Sequence, residues 1–408
     1  GTLAAPPSKS AAHRALICAA LADGKSRVSP LAGSADMAAT AQCLCAMGAQ
    51  IAREGDAAFV EGGRCAAGAE VTLDCAESGS TLRFLLPVAA AYGLHATFVG
   101  HGRLPERPLG ALADQMKAHG VSFSAGAMPF TIGGRLSPGR YELPGNVSSQ
   151  FVTGLLFALP LLDGESEIVL TSPLQSAGYV EMTLRTLQES GVAVTPTENG
   201  WRVPGNQRFR AFDRTVEGDW SNAAFWLCAA AIGGTVRITG LSNDSAQGDR
   251  TVYEILERFG ADITRDAHAV CCEAAPLRAQ RIDAGQIPDL VPVLAVTAAF
   301  AEGDTEIYNA ARLRIKESDR LASVTQVLNA LGAGVEEHAD HLVLRGRERL
   351  AGGVTVSGHN DHRIAMMAAI AATRCQGPVT ITGAECVNKS YPRFWADYEA
   401  LGGQIART

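Results

Sequence analysis

Asp219-Trp-Ser-Asn-Ala-Ala-Phe-Trp-Leu-Cys-Ala-Ala-Ala-Ile-Gly233 runs into the β-branched stretch Thr235-Val-Arg-Ile238. A polar loop then leads to Val252-Tyr-Glu-Ile-Leu-Glu-Arg-Phe259 and Gly260-Ala261. The first segment begins polar, is apolar on every face and ends at glycine, the pattern of a buried helix. The second carries apolar residues at helical spacing, the pattern of an amphipathic helix. Gly260 stands just past its last turn. Glycine caps helices there because it enters the left-handed conformation without a Cβ clash.

Both patterns recur along the chain. The capping phrase returns as Met47-Gly48-Ala49, His119-Gly120-Val121, Ser190-Gly191-Val192, Leu331-Gly332-Ala333 and Leu401-Gly402-Gly403. With Gly260, the glycines are 72, 71, 69, 72 and 70 residues apart. The apolar segments return in step, as Ser8–Gly24, Glu77–Gly93, Ser148–Gly164, Pro288–Gly303 and Asn360–Gly377. Strand-like runs follow at Ala96–Val99, Glu167–Leu170, Thr305–Tyr308 and Pro378–Ile381. The unit reads buried helix, strand, polar loop, amphipathic helix, glycine cap, strand, turn, strand. Six copies of about 70 residues fill the chain. Two interleaved series holding one period are not a coincidence of capped helices. A unit this long and this mixed does not stack as a solenoid of ~20–50-residue repeats. Three units per domain predict two α/β domains of ~200 residues.

Composition agrees. The chain has 408 residues, 47% of them hydrophobic and 19% charged, which suits two buried cores and excludes a disordered chain. No apolar run reaches the ~18 residues of a membrane-spanning helix, and no signal segment is read at the start. The net charge of −7 argues against nucleic acid or an anionic membrane as partner. Ten cysteines are scattered without CxxC or zinc-finger spacing, so reduced thiols in a cytoplasmic protein are expected.

The chemistry gathers at helix starts. The buried series opens on Lys9-Ser10, Ser78-Gly79-Ser80, Ser148-Ser149-Gln150, Asp219 with Ser221, Asp289 and Asp361-His362-Arg363. Any one of these is an ordinary N-cap. If the helices of a domain run parallel, their N-termini share one surface, and each offers free N–H groups to an anion. The amphipathic series adds basic residues at its own starts: Arg103 and Arg107, Arg312 to Arg320, and Lys389. Basic clusters in register with the repeat, in an acidic chain, point to small and highly charged anionic ligands. Gly24-Lys25-Ser26 lacks the first glycine of a P-loop, since position 19 is Ala. GxGxxG, HExxH and GxSxG are absent, and His359 and His362 have no third ligand in view. No metal site and no cofactor are expected.

The motifs also occur together in a known family. Pro7-Ser-Lys9-Ser10-Ala-Ala-His13-Arg14, Glu77-Ser-Gly79-Ser-Thr-Leu-Arg83, Pro105-Glu-Arg107-Pro108, Ser148-Ser149-Gln150, Ile315-Lys316-Glu317-Ser-Asp-Arg320-Leu321 and Asn360-Asp-His-Arg363 resemble, in order and end to end, the 5-enolpyruvylshikimate-3-phosphate synthase family. The resemblance implies two inside-out α/β barrel domains, each of three repeated units around buried parallel helices. One would comprise residues 1–7 and 218–408, the other 8–217. It implies attack of the 5-hydroxyl of shikimate 3-phosphate on C2 of phosphoenolpyruvate, protonation of C3 and loss of phosphate. It assigns shikimate 3-phosphate to Lys9, Ser10, Arg14, Ser148, Ser149, Gln150, Ser176, Asp289 and Lys316. It assigns phosphoenolpyruvate to Lys9, Gly79, Arg107, Gln150, Arg320, Arg363 and Lys389. Asp289 would be the base for the hydroxyl, and Glu317 or Lys9 would protonate C3. Asp289 also stands where it would cap the segment after Pro288. A monomer acting on these two small molecules is implied, with neither nucleic acid nor membrane as partner. Glu77, Arg312 and His13 replace residues common in the family. Two alternatives stay open at this point: the sister enzyme that uses UDP-N-acetylglucosamine, and a non-catalytic anion-binding module on the same repeat.

Overall fold

The computed structural model describes residues 1–407. The chain divides into two compact units: Gly1–Ser8 with Glu217–Thr408, here unit 1, and Lys9–Val216, here unit 2. Unit 2 holds α1 (Lys9–Leu21), α2 (Ala35–Ala46), α3 (Gly79–Ala91), α4 (Gly110–Ala118), α5 (Ser149–Ala158) and α6 (Ala177–Glu189). Unit 1 holds α7 (Trp220–Gly233), α8 (Val252–Phe259), α9 (Val291–Ala298), α10 (Arg320–Ala330), α11 (His362–Ala372) and α12 (Phe394–Ala400). The odd-numbered helices are the buried series and the even-numbered ones the amphipathic series. In α1 every residue from Ala11 to Ala20 is buried. The six capping glycines have φ between +77° and +112°, the left-handed region that the sequence reading requires.

One order of elements repeats. Glu70–Asp74, α3, His95–Val99, α4, Val121–Phe123 and Phe130–Gly134 build one four-stranded sheet. Its first two strands are parallel and the remaining pairs antiparallel. The sheets starting at Arg140–Leu143 and Arg281–Asp283 repeat this pattern. The strand ahead of each buried helix is absent from the sequence reading. It is three to five residues long, alternates outward charges with buried residues, and finds its partner only across the buried helix.

In the first copy of each unit this strand comes from elsewhere in the chain. Thr2–Ala4 pairs with Arg237–Thr239 in unit 1, and Asp213–Thr215 pairs with Arg27–Ser29 in unit 2. In the last copy Thr355–Ser357 pairs with Thr380–Thr382. Among the described residues no strand follows Gly402, where the repeat predicts two.

Sheets pack on the odd-numbered helices, so the helices form the interior. In unit 1, α7, α9 and α11 pack on one another, and Trp226 of α7 stacks on Phe394 of α12 at 4.9 Å between ring centroids. In unit 2, α3 and α5 pack so closely at Gly154 that a Cβ there would overlap the Arg83 carbonyl oxygen. Among the described residues no helix is long and apolar enough to cross a membrane.

Candidate active site

In unit 1 the polar residues converge on one guanidinium. Arg320, in the first turn of α10, is 1% exposed and donates to three carboxylates. Nε meets Asp361 Oδ2 at 2.8 Å, Nη1 meets Asp289 Oδ1 at 2.8 Å, and Nη2 meets Glu317 Oε2 at 2.8 Å. Arg363, in the first turn of α11, donates to Asp289 Oδ2 at 3.1 Å and to the Asp289 carbonyl at 3.1 Å. Lys389 Nζ donates to the Asn360 carbonyl at 2.7 Å. Asp289, Glu317, Arg320, Arg363 and Lys389 therefore lie in one neighbourhood, with Lys316 close to Asp289.

Local folding explains the placement. Asp319 caps α10 by accepting from Ala322 N, and Asp361 caps α11 by accepting from Arg363 N. Each cap fixes the direction of the arginine that follows it. His359 and Asn360, just before Asp361, both have positive φ, a conformation that non-glycine residues adopt rarely and often beside functional groups. Asp289 does not cap α9: Leu290 occupies that position without a side-chain cap bond, and the Asp289 carboxylate faces the two arginines.

The electrostatics follow from burial and charge. Burial works against the Arg320 charge, but Asp361, Glu317 and Asp289 more than offset it and raise its pKa. Burial pushes the Asp361 carboxyl up, yet the charge and hydrogen bond of Arg320 bring it below the ordinary value. Burial lowers Lys316 to about 8, Asp289 pulling it up and Arg312 down.

Unit 2 builds a second cluster at the starts of α1, α3 and α5. Ser78 caps α3 and Ser148 caps α5. A Cβ on Gly79 would lie 2.6 Å from nitrogens of both Arg107 and Arg83, so the two guanidiniums come down on this helix N-terminus in the space that glycine leaves. Arg83 donates to Gln150 Oε1 at 3.2 Å, and Gln150 donates to Ser80 Oγ at 3.0 Å. Gly79, Arg107 and Gln150 are thus brought together, with Ser149 beside them on α5.

Lys9 is held in an ion pair with Asp36 at 2.7 Å. Arg14 points inward. It donates to Thr183 Oγ1, the Ser10 carbonyl and the Tyr179 carbonyl at 2.8–2.9 Å and lies over the Phe84 ring. Burial lowers Arg14 to about 10, still charged at neutral pH. Ser176, ahead of α6, is buried with φ +56°.

The sequence reading missed Asp36 as the Lys9 partner and Arg83 as the link between Gly79 and Gln150. It also missed a buried chain from His13 Nδ1 to Thr40, Thr81 and the Ser78 cap, at 2.8, 2.6 and 2.8 Å. Burial, then Lys9 and Arg14, hold the His13 pKa well below the ordinary value, so this link is neutral. The polar residues ahead of the helices were the one available signal for these contacts.

Both clusters lie on the motifs quoted from the sequence. The family model described as EPSP synthase (3-phosphoshikimate 1-carboxyvinyltransferase) matches residues 1–398. The chain belongs to the EPSP synthase family. A 3-phosphoshikimate 1-carboxyvinyltransferase of Clostridium kluyveri is 45% identical over 99% of this chain and 96% of its own length. One of Clostridium beijerinckii is 44% identical over 99% of this chain and 95% of its own. Among solved structures, an EPSP synthase of Acinetobacter baumannii superposes with a TM-score of 0.82 at 28% identity, covering all of this chain and 96% of that one.

Proposed function

We propose that this EPSP synthase family member transfers the enolpyruvyl group of phosphoenolpyruvate to the 5-hydroxyl of shikimate 3-phosphate, releasing phosphate, in the shikimate pathway to chorismate and the aromatic amino acids. The observation that carries this reading is the Arg320 cluster. Two buried arginines at helix starts, Arg320 and Arg363, pair with two carboxylates, Asp289 and Glu317, the groups to which this reading gives proton transfer.

Asp289 accepts the 5-hydroxyl proton as the oxygen attacks C2, and Glu317 or Lys9 delivers a proton to C3. The tetrahedral intermediate then loses phosphate and a C3 proton. Phosphoenolpyruvate is assigned, as the family resemblance implies, to Gly79, Arg107, Gln150, Arg320, Arg363 and Lys389. Lys9, Ser10, Arg14, Ser148, Ser149, Gln150, Ser176, Asp289 and Lys316 serve shikimate 3-phosphate. For Arg14 the inward hydrogen bonds support a role through the α1 and α6 backbone, which it ties together. General acid–base groups supply about 10²–10⁴-fold. Orienting two anions that repel in water supplies more. The chain works as a cytoplasmic monomer in this reading.

Against the UDP-N-acetylglucosamine alternative, the loop His101–Pro108 contains no cysteine to serve as its reactive residue. Phosphate release with shikimate 3-phosphate and phosphoenolpyruvate, and none with UDP-N-acetylglucosamine as acceptor, is the expected result. Asp289→Asn should lower kcat by at least about a hundredfold. Turnover of the nucleotide sugar, or of neither acceptor, overturns the reading.

A further inference from the structure

A fourth carboxyl group lies behind the Arg320 cluster, and the mechanism above makes no use of it. Asp249 sits on a 3-10 turn, Gly248–Thr251, with 2% of its surface exposed. The turn is pinned to the start of α7. Gln247 Oε1 accepts from Trp220 N at 3.0 Å, and Gln247 Nε2 donates to the Gly218 carbonyl at 2.8 Å. Ser221, in the first turn of α7, donates its hydroxyl to Asp249 Oδ2. Asp249 Oδ1 is buried without a hydrogen-bond partner. Asn222 Oδ1, the neighbouring side chain on α7, is buried in the same condition.

Charge counting decides the state of this group. Asp289, Glu317 and Asp361 already share Arg320, and Asp289 also takes Arg363. Asp249 faces Asp219 from the α7 cap, Asp289 from the loop before α9 and Arg363 from α11. On its own turn Arg250 is directed to the Asn243 carbonyl at 2.6 Å. Ser221 is the hydrogen-bond partner of Asp249 and no cation among the described residues is bonded to it, and a buried charge so placed is costly where a proton removes it.

We propose that Asp249 is held as a neutral carboxylic acid below neutral pH and is a positioning residue for Asp289: uncharged, it leaves the Arg363 guanidinium to Asp289 and to phosphoenolpyruvate. This deepens the functional reading above and rests on the roles given there to Asp289 and Arg363. Burial, then the Asp289 charge, push Asp249 up to about 7, while Arg363 and the Ser221 hydroxyl pull it down. As pH rises through that value Asp249 ionises, draws on Arg363 and repels Asp289. The KM for phosphoenolpyruvate rises, and kcat/KM falls more than kcat, because bound phosphates keep the acid protonated.

The test compares wild type, Asp249→Asn and Ser221→Ala in kcat/KM for phosphoenolpyruvate between pH 5.5 and 8.5. The amide imitates the neutral acid. Asp249→Asn should stay within about threefold of wild type at pH 6 and lack the alkaline fall that begins near neutrality. Ser221→Ala removes a bond that favours the anion, so it should move that fall to higher pH. Denaturant midpoints give a readout independent of turnover. Between the ordinary carboxyl pKa and about 7 the folded protein holds a proton that the unfolded chain has lost, so stability falls as pH rises. The wild-type midpoint should therefore drop relative to Asp249→Asn from pH 4.5 to pH 7.5. Superimposable pH profiles, or a folded Asp249→Asn that is a hundredfold slower at every pH, would overturn the proposal. If Asp249→Asn does not fold, an unmoved profile in Ser221→Ala overturns it. A wild type without turnover defeats the functional reading instead, and the midpoints of wild type against Asp249→Asn still report the proton.

Discussion

Lys316 is the residue whose charge is most finely set. Burial holds its ammonium near 8, with Asp289 raising that value and Arg312 lowering it. A bound phosphate or carboxylate would restore the ordinary value, so binding and protonation are linked. The affinity for shikimate 3-phosphate should be flat below pH 7.5. Above pH 8.5 it should weaken by up to about tenfold per pH unit, as binding must then supply the proton. Lys316→Arg keeps its charge throughout and should remove the pH dependence while weakening binding at neutral pH, since a planar guanidinium does not replace a compact ammonium. Titration calorimetry at three pH values reads both effects, and a wild-type affinity unchanged between pH 7.5 and 9 would contradict the assignment. The motif makes Lys316 visible in the sequence because the motif is contiguous. The partners that tune such groups are not visible there. Asp36 lies 27 residues from Lys9 and Gln150 lies 67 from Arg83, and only the packing of whole helices brings them together.

At the scale of elements, Gly154 carries the tightest helix contact in unit 2. Its missing side chain lets α5 ride on α3 at Arg83, where a Cβ would also stand 3.1 Å from Pro87 Cγ. Gly154→Val must force the helices apart, and overpacking of this kind costs about 1–3 kcal/mol or more. The melting temperature should fall by about 2–12 °C. Activity should fall beyond the loss of folded protein, because Arg83 and Gln150 stand on the two displaced helices. Gly126→Ala, at a site with open space for a Cβ, should stay within about 0.5 kcal/mol. Equal melting curves for Gly154→Val and Gly126→Ala would refute the packing argument. Element identity was legible where it depends on local chemistry. A left-handed glycine after an apolar stripe is a property of a few adjacent residues, so all six caps could be read. Arg140–Leu143 could not, because a short edge strand takes its conformation from a partner beyond the next helix. Gly154 was equally silent, since helix proximity leaves no local mark.

For the whole molecule, the consequence of the chain path lies in how unit 1 is closed. Its first strand, Thr2–Ala4, completes the sheet of Thr235–Thr239, and all of unit 2 lies between them in sequence. The two passages of chain run side by side where unit 2 is inserted. Pro7 and Gly218 form an antiparallel bridge, and Ser8 N donates to the Glu217 carbonyl at 2.8 Å. Two residues suffice to turn an antiparallel pair. Joining Ser8 to Glu217 through Asn-Gly, with residues 9–216 removed, should therefore leave every strand pair and the α7–α9–α11 core of unit 1 intact. About 200 residues is an ordinary domain size, and the unit contains Trp220, Trp226 and Trp395 within or against its own core. The shortened protein should unfold cooperatively on heating, with a native near-ultraviolet tryptophan spectrum and no turnover. Removing Gly1–Ala5 from it as well should lower the melting temperature, because the Thr235–Thr239 strand then becomes an open edge. A broad, non-cooperative transition in the joined form would show that unit 1 depends on residues 9–216 for its fold, against the closure its strand pairing describes.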